Sequence, residues 1–326
     1  MSRTIRILSI DGGGIRGVIP AMVLAEIEKA TERPIAESFD LIAGTSTGGI
    51  LALALTRPDA SGKPAYSARD LVSLYEQEGH RIFHRNTWHR LHAAGNLLDE
   101  KYPAEGLEGV LAQYFGEARL KEALTDVLIT GYETERRFPF FFKSANACVN
   151  PEYDFPMRLV ARATSAAPTY FEPLKLPAEG TAGYYSLIDG GVYANNPSMC
   201  ALVEAITRNP EADNFLVVSI GTGESTCPLR HKDIKDWGLA SWAQPVLNIV
   251  FDGVSNTVDY QLRQLLSGPG EPPRYWRFQL RLDAQTGSMD DASPDHIRRL
   301  KLLAESLIRE RSADIQTLCA SLRRAS

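Results

Sequence analysis

Apolar positions change their period along this chain, and each change predicts an element. Ile5 to Ile10 reads as a strand buried on both faces. After the glycine-rich run that follows, Ile19, Met22, Val23 and Ile27 recur at helical spacing up to Glu32. Phe39 to Ala43 is a second short apolar strand, and Ile50 to Leu55 continues as a helix after another glycine turn. Two strand-turn-helix units in succession predict an α/β fold with three layers, a mainly parallel central sheet carrying helices on both faces. Residues 57–66 are a loop, and Tyr66 to His92 has a helical pattern. Val127 to Tyr132 and Phe138 to Lys143 read as strands joined by a charged turn. Leu159 to Ala167 reads as a helix closed by Pro168. Tyr184 to Ile188 is a strand ending at Asp189, Pro197 to Thr207 a helix, and Phe215 to Ile220 a strongly apolar strand.

Beyond about residue 226 the pattern turns helical, over Trp237 to Leu266 and Pro294 to Leu322, with a strand between them in Tyr275 to Leu282. The expected organisation is therefore a catalytic domain over 1–225 and a helical C-terminal extension over 226–326 packed on it.

Composition narrows the function. The chain has 326 residues and a net charge of −5, which argues against a nucleic-acid polymer as partner. Its four cysteines, Cys148, Cys200, Cys227 and Cys319, form no CxxC pair, so neither a metal site nor a disulfide framework is expected. No cofactor is called for. The first residues lack the apolar core of a signal peptide, and no long uncharged apolar window spans a bilayer. A cytoplasmic protein is expected, held at the inner membrane only peripherally and only when active.

The candidate chemistry sits in the turns. Gly44-Thr45-Ser46-Thr47-Gly48 has the G-x-S-x-G spacing that exposes a serine on a sharp turn between strand and helix. The pentapeptide alone could be a chance turn; the strand before it and the helix after it favour a nucleophile. Asp11-Gly12-Gly13-Gly14-Ile15-Arg16-Gly17 places glycine N–H groups at a helix start, where they can hold an anion. The same residues satisfy G-x-G-x-x-G through Gly12, Gly14 and Gly17, the alternative of a dinucleotide site. That alternative needs an acidic residue ending the second strand, and Gly44 and Ser46 stand there instead. Asp189-Gly190-Gly191 puts a carboxylate at a strand end, although Asp-Gly is also a common turn.

Together these pieces resemble the patatin-like phospholipases, which carry a D-G-G-G-x-R-G loop, a G-x-S-x-G elbow and a D-G-G or D-G-A motif in this order. Ala163 to Phe171 and Asn195-Asn196-Pro197 also look like the family's stretches around the aspartate, so the resemblance covers about residues 5–223. It implies a serine lipid acyl hydrolase acting on phospholipid esters through a Ser-Asp dyad without histidine. Ser46 would be the nucleophile and Asp189 the base. Gly12, Gly13 and Gly14 would form the oxyanion hole. Arg16, Gly17, Gly44, Gly48, Gly190 and Gly191 would support them, Arg16 by bracing the loop or meeting a lipid phosphate.

Within the family, Phe39 to Gly49, Arg162 to Pro173 and the region Trp237 to Leu266 look similar to bacterial phospholipase effectors of antiphage defence. That resemblance implies activation by a cyclic dinucleotide such as cyclic GMP-AMP. A constitutive esterase or lysophospholipase without nucleotide control is the alternative. The implied partners are a phospholipid membrane surface, the cyclic dinucleotide, and a second copy of the chain in a homo-oligomer. His80 to His92 interleaves basic and aromatic groups and could meet phosphates or headgroups, or be a solvated helix end. Phe138 to Phe142 is expected as a buried strand rather than a lipid wedge. Trp237, Trp242 and Phe251 are expected in the core, with an acyl channel as the alternative.

Overall fold

The computed structural model describes residues 3–84, 102–178, 183–266, 268 and 273–324. An eight-stranded sheet forms the middle layer. Its strands are β1 (Thr4–Ile10), β2 (Leu41–Gly44), β3 (Asp126–Glu133), β4 (Phe138–Lys143), β5 (Leu174–Pro177), β6 (Tyr184–Asp189), β7 (Asn214–Ile220) and β9 (Tyr275–Phe278). The order is β5-β6-β3-β2-β1-β7-β9, with β4 paired to β3 beside that path. The two strands β8 (Glu224–Ser225) and β10 (Arg281–Leu282) make a separate parallel ladder.

The strands β3, β2, β1 and β7 and the edge strand β9 are parallel. Their residues alternate between two apolar layers, as the two-residue period of a strand requires. Ile5 and Ile7 of β1 join one cluster with Leu262 and Leu266, whereas Leu8 and Ile10 join the other. The first cluster is covered by α6 (Ser198–Arg208) and α7 (Leu239–Leu266). The second is covered by α1 (Val18–Thr31), α2 (Thr47–Thr56), α3 (Ala68–Ile82), α4 (Ala104–Phe115), α5 (Met157–Thr164), α8 (Pro294–Glu310) and α9 (Ser312–Arg324). The expected three-layer α/β architecture is the one found.

Several expected elements are shorter. The helix expected to run to His92 ends at Ile82; residues 85–92, with most of the basic and aromatic stretch, lie outside the described residues. The helix expected to reach Ala167 ends at Thr164, where Ser165 turns its hydroxyl back onto Ala161 O at 2.8 Å. Pro294 to Leu322 divides at Arg311 into α8 and α9. Two elements were not anticipated. In α4, Leu107, Val110, Leu111 and Phe115 carry a helical stripe, but Gly106 and Gly109 lower its propensity. The edge strand β5 has only four residues and pairs with β6 alone.

Phe138 to Phe142 is the expected strand: Phe140 and Phe142 point into an aromatic core and meet edge-on at 4.8 Å. The C-terminal region adds a strand to the sheet itself. β9 pairs with β7 in parallel, Val217 to Tyr275 through Ile220 to Phe278.

Candidate active site

Register brings the site together. Ile10 of β1 stands opposite both Gly44 of β2 and Ile220 of β7, so three turns leave the sheet at one level. Gly44 stands opposite Ile129 of β3 on its other side. β6 runs against these strands and places its last residue, Asp189, opposite Gly131 of β3. Asp189 therefore arrives from the far direction at the level that Ser46 reaches two residues beyond Gly44.

The serine turn is strained. Ser46 has φ 55° and ψ −125°, a backbone region that costs a side-chain-bearing residue about 1–3 kcal/mol. Neighbouring groups hold it there. The Ser46 N–H donates to Thr164 Oγ1 at 2.9 Å, and Thr45 Oγ1 donates to Ala194 O at 2.6 Å. The motif glycines are required by close approach. A Cβ on Gly44 would lie 2.2 Å from Gly48 O, and one on Gly48 would lie 2.2 Å from Ile10 O. Gly17 admits the Thr47–Tyr75 hydroxyl pair, which meets at 2.5 Å. Gly190 lies against Thr130, where a Cβ would come within 2.2 Å of its Oγ1.

Asp189 is 2% exposed. Its Oδ1 accepts the Gly191 N–H at 2.7 Å, and the Ser46 side chain beside it in the cavity favours its charged form. Burial pushes its pKa up to about 7 against the opposing pull of both. Burial disfavours the charged form, and no cation stands close enough to offset it. An aspartate ordinarily too weak to take a serine proton thus becomes a base matched to neutral pH. Among the described residues no histidine lines this cavity.

The glycine loop divides its work. Of the three N–H groups expected to face an oxyanion, that of Gly12 donates to Asn195 O at 3.0 Å. Gly13 and Gly14 line the cavity with Ser46 and Asp189, and among the described residues no hydrogen bond is made by their N–H groups. Gly12 serves by being small: a Cβ there would lie 2.5 Å from Asn195 Oδ1. Its carbonyl accepts from Thr222 Oγ1 at 2.6 Å. Gly14 has φ +59°, and a Cβ on it would strike Met289 O at 2.1 Å. Arg16 is buried beneath the loop, with Nε 3.3 Å from Gly13 O and Nη1 3.4 Å from Gly287 O. Burial lowers its pKa to about 10, while Asp252 opposes the fall. Of its two expected roles, the structure gives it the brace.

Around this polar centre the cavity is apolar, lined by Ile50, Leu74, Ile82, Phe83, Tyr170 and Phe171 among others, with about 730 Å³ of atom-free space including its mouth. Phe251 of α7 lines it too, which the core assignment did not anticipate, whereas Trp237 and Trp242 stay outside. Such a cleft with few polar groups suits an acyl chain ending at a reactive carbonyl.

Four contributors were not singled out from sequence as site groups. Thr164 and Asn195 lay within stretches noted only as similar to the family's. Ser255 of α7 holds the Asn195 side chain, which donates to its Oγ at 3.1 Å. Arg277 of β9 grips Asp11, its Nη1 at 3.0 Å from Oδ1 and its Nη2 at 2.6 Å from Oδ2. Nothing in the local sequence marks a contact across 266 positions.

The chain is similar to known proteins over most of its length. The pattern of a family described as patatin-like phospholipase matches residues 8–202. Patatin-like protein 4 of Arabidopsis thaliana is 33% identical, covering 93% of this chain and 83% of its own length. Patatin-like protein 1 of the same plant is 32% identical, covering 94% and 82%. A Solanum tuberosum protein named probable inactive patatin-3-Kuras 1 is 30% identical, covering 95% and 88%. Overall likeness therefore extends to a protein named as inactive, and activity must be argued from this chain's own groups.

Proposed function

Because the chain belongs to the patatin-like phospholipase family, we propose that it is a lipid acyl hydrolase that cleaves phospholipid carboxylic esters through a dyad of Ser46 and Asp189. The observation that carries the reading is the buried Asp189 carboxyl, raised to about 7 and lining an apolar cavity together with Ser46.

The reaction follows from the positions. Ser46 Oγ attacks the ester carbonyl carbon while its proton passes to the Asp189 carboxylate. The carbonyl oxygen becomes an oxyanion facing the Gly13 and Gly14 N–H groups, each such donor being worth roughly 3–4 kcal/mol in the transition state. The intermediate collapses, the C–O bond to the alcohol breaks, and protonated Asp189 returns its proton to the leaving alkoxide. Water then attacks the acyl-Ser46 carbonyl as Asp189 takes its proton, and the fatty acid leaves with Ser46 restored. The strained Ser46 backbone presents Oγ to the cavity without a rearrangement beforehand.

A fluorophosphonate probe tests the nucleophile. Wild type is expected to take one adduct on Ser46, and Ser46→Ala none; equal labelling of the variant would sink the dyad. Activation by a cyclic dinucleotide in antiphage defence, and peripheral seating at the inner membrane, are further proposals motivated by the resemblances in Phe39 to Gly49 and Arg162 to Pro173. Phospholipid turnover measured with and without a cyclic dinucleotide panel decides the first, since a high rate that none of them changes removes it. Among the described residues no helix is long and apolar enough to cross a membrane.

A further inference from the structure

Helix α7 has two apolar faces, and only one of them is used by the fold. Phe251, Ser255, Leu262 and Leu266 are buried against the sheet and the cavity. Leu239, Trp242, Val246 and Ile249 form a second stripe at spacings of three, four and three residues. At roughly 100° per residue this stripe lies on the opposite side of the helix from the buried set. Leu239 is 94% exposed, Val246 43% and Ile249 44%. Tyr260, 66% exposed, extends the same line. Trp237 and Trp242 meet edge-to-face at 5.3 Å beside it.

The turn before the helix is basic. Arg230, His231, Lys232 and Lys235 are exposed or half-exposed, with Leu229 next to them at 44%. Asp233 and Asp236 offset part of this charge, and Lys235 pairs with Asp236 at 3.8 Å. Arg230 and Lys232 make no ion pair among the described residues. Indole rings beside an apolar helix face, flanked by cations with long alkyl stems, suit the boundary between headgroups and acyl chains.

We propose that the first half of α7 and the turn before it dock the protein on an anionic phospholipid surface. The proposal rests on the lipid-hydrolase reading above, which places the substrate in that surface. The stripe and the site share one helix: Leu239 is roughly 18 Å along it from Phe251, which lines the catalytic cavity from the opposite face. The apolar stripe enters the acyl boundary while Arg230, Lys232 and Lys235 meet headgroup phosphates, each worth most at low salt.

The test uses the full chain. Binding is measured in the Ser46→Ala background by co-sedimentation with phosphatidylcholine vesicles and with vesicles of equal parts phosphatidylcholine and phosphatidylglycerol. Leu239→Glu, fully exposed and safe for folding, and Val246→Glu/Ile249→Glu are each expected to weaken partitioning onto the anionic vesicles by at least about tenfold. In the active chain the same substitutions should leave hydrolysis of soluble p-nitrophenyl butyrate unchanged and lower turnover of vesicle phospholipid. Unaltered partitioning overturns the proposal. So does equal binding of wild type to neutral and anionic vesicles. Conversion of a dimer to a monomer by the substitutions also overturns it, because the stripe would then seat a second copy. Loss of p-nitrophenyl ester turnover on Ser46→Ala with binding intact keeps the two readings separate. If Ser46→Ala retained that turnover while wild type still bound vesicles as expected, only the dyad would fail.

Discussion

The tetrapeptide Ile-Asp-Gly-Gly occurs twice, at 10–13 and at 188–191. Both aspartates stand at the end of a sheet strand, and both are buried, Asp11 at 1% exposed and Asp189 at 2%. Their partners differ. Asp11 receives two charge-assisted bonds from Arg277, whose guanidinium also donates to Ser219 Oγ at 2.7 Å. Burial raises the Asp11 carboxyl and Arg277 opposes that rise. Burial also works against the Arg277 charge, and Asp11 more than offsets it. A bidentate pair of this kind is fixed in place. Asp189 has a hydroxyl and one amide N–H instead, so its burial goes uncompensated by any cation and its pKa reaches about 7. One strand ending thus yields an aspartate gripped by a cation and an aspartate that faces Ser46 without one.

Replacing the base breaks the comparison most severely. Asp189→Asn keeps the shape, and its amide can still accept from Gly191 and meet Ser46. It cannot take the serine proton. Turnover is expected to fall about a thousandfold or more, read as initial rates on a soluble ester. The corresponding Asp11→Asn keeps most of its catalytic groups in place and should lose far less. Equal losses in the two variants would mean that Asp189 is also only an anchor.

This contrast explains what was legible in the sequence. Spacing around Ser46 and the glycine loop carried the candidate nucleophile and the candidate anion site, because a sharp turn needs particular residues at particular offsets. The alternation of strands and helices carried the layered sheet for the same reason. Local pattern could not separate Asp11 from Asp189, which share their neighbours; only family order assigned the base. Nor could it show Arg277, because β9 reaches β1's end through β7, after a 28-residue helix that looked like an appendage. The Gly12 N–H looked equivalent to those of Gly13 and Gly14 until the carbonyl of Asn195 was found on it. Long-range pairing supplied each missing piece.

Removing the cation tests the anchor. Arg277→Met keeps much of the volume and leaves Asp11 buried without its partner, which is expected to lower stability by about 3–5 kcal/mol. Denaturant midpoints at pH 8 read the loss. Adding Asp11→Asn to Arg277→Met should recover a large part of it, since an amide does not demand a counter-charge. A double variant as unstable as the single one would show that Arg277 acts through packing rather than through charge.

The smallest effect is the most specific to Asp189. The carboxylate must be deprotonated to act, so kcat/KM on a soluble ester should rise about tenfold per pH unit below about 7 and level off above it. Stability moves the other way. The folded-state pKa of about 7 exceeds the ordinary 3.8, so the folded protein holds this proton more tightly than the unfolded chain. Its contribution is complete below about 3.8 and is lost as pH rises through about 7. The gap of roughly three pH units, at 1.36 kcal/mol for each, is on the order of 4 kcal/mol. The stability of Asp189→Asn relative to wild type should therefore grow between pH 4 and 7 and stay level above. Asp11→Asn should instead lower stability at neutral pH, because it leaves the buried Arg277 guanidinium without its partner. If kcat/KM instead fell only below pH 4, Asp189 would be an ordinary carboxylate and the two aspartates would differ in position alone.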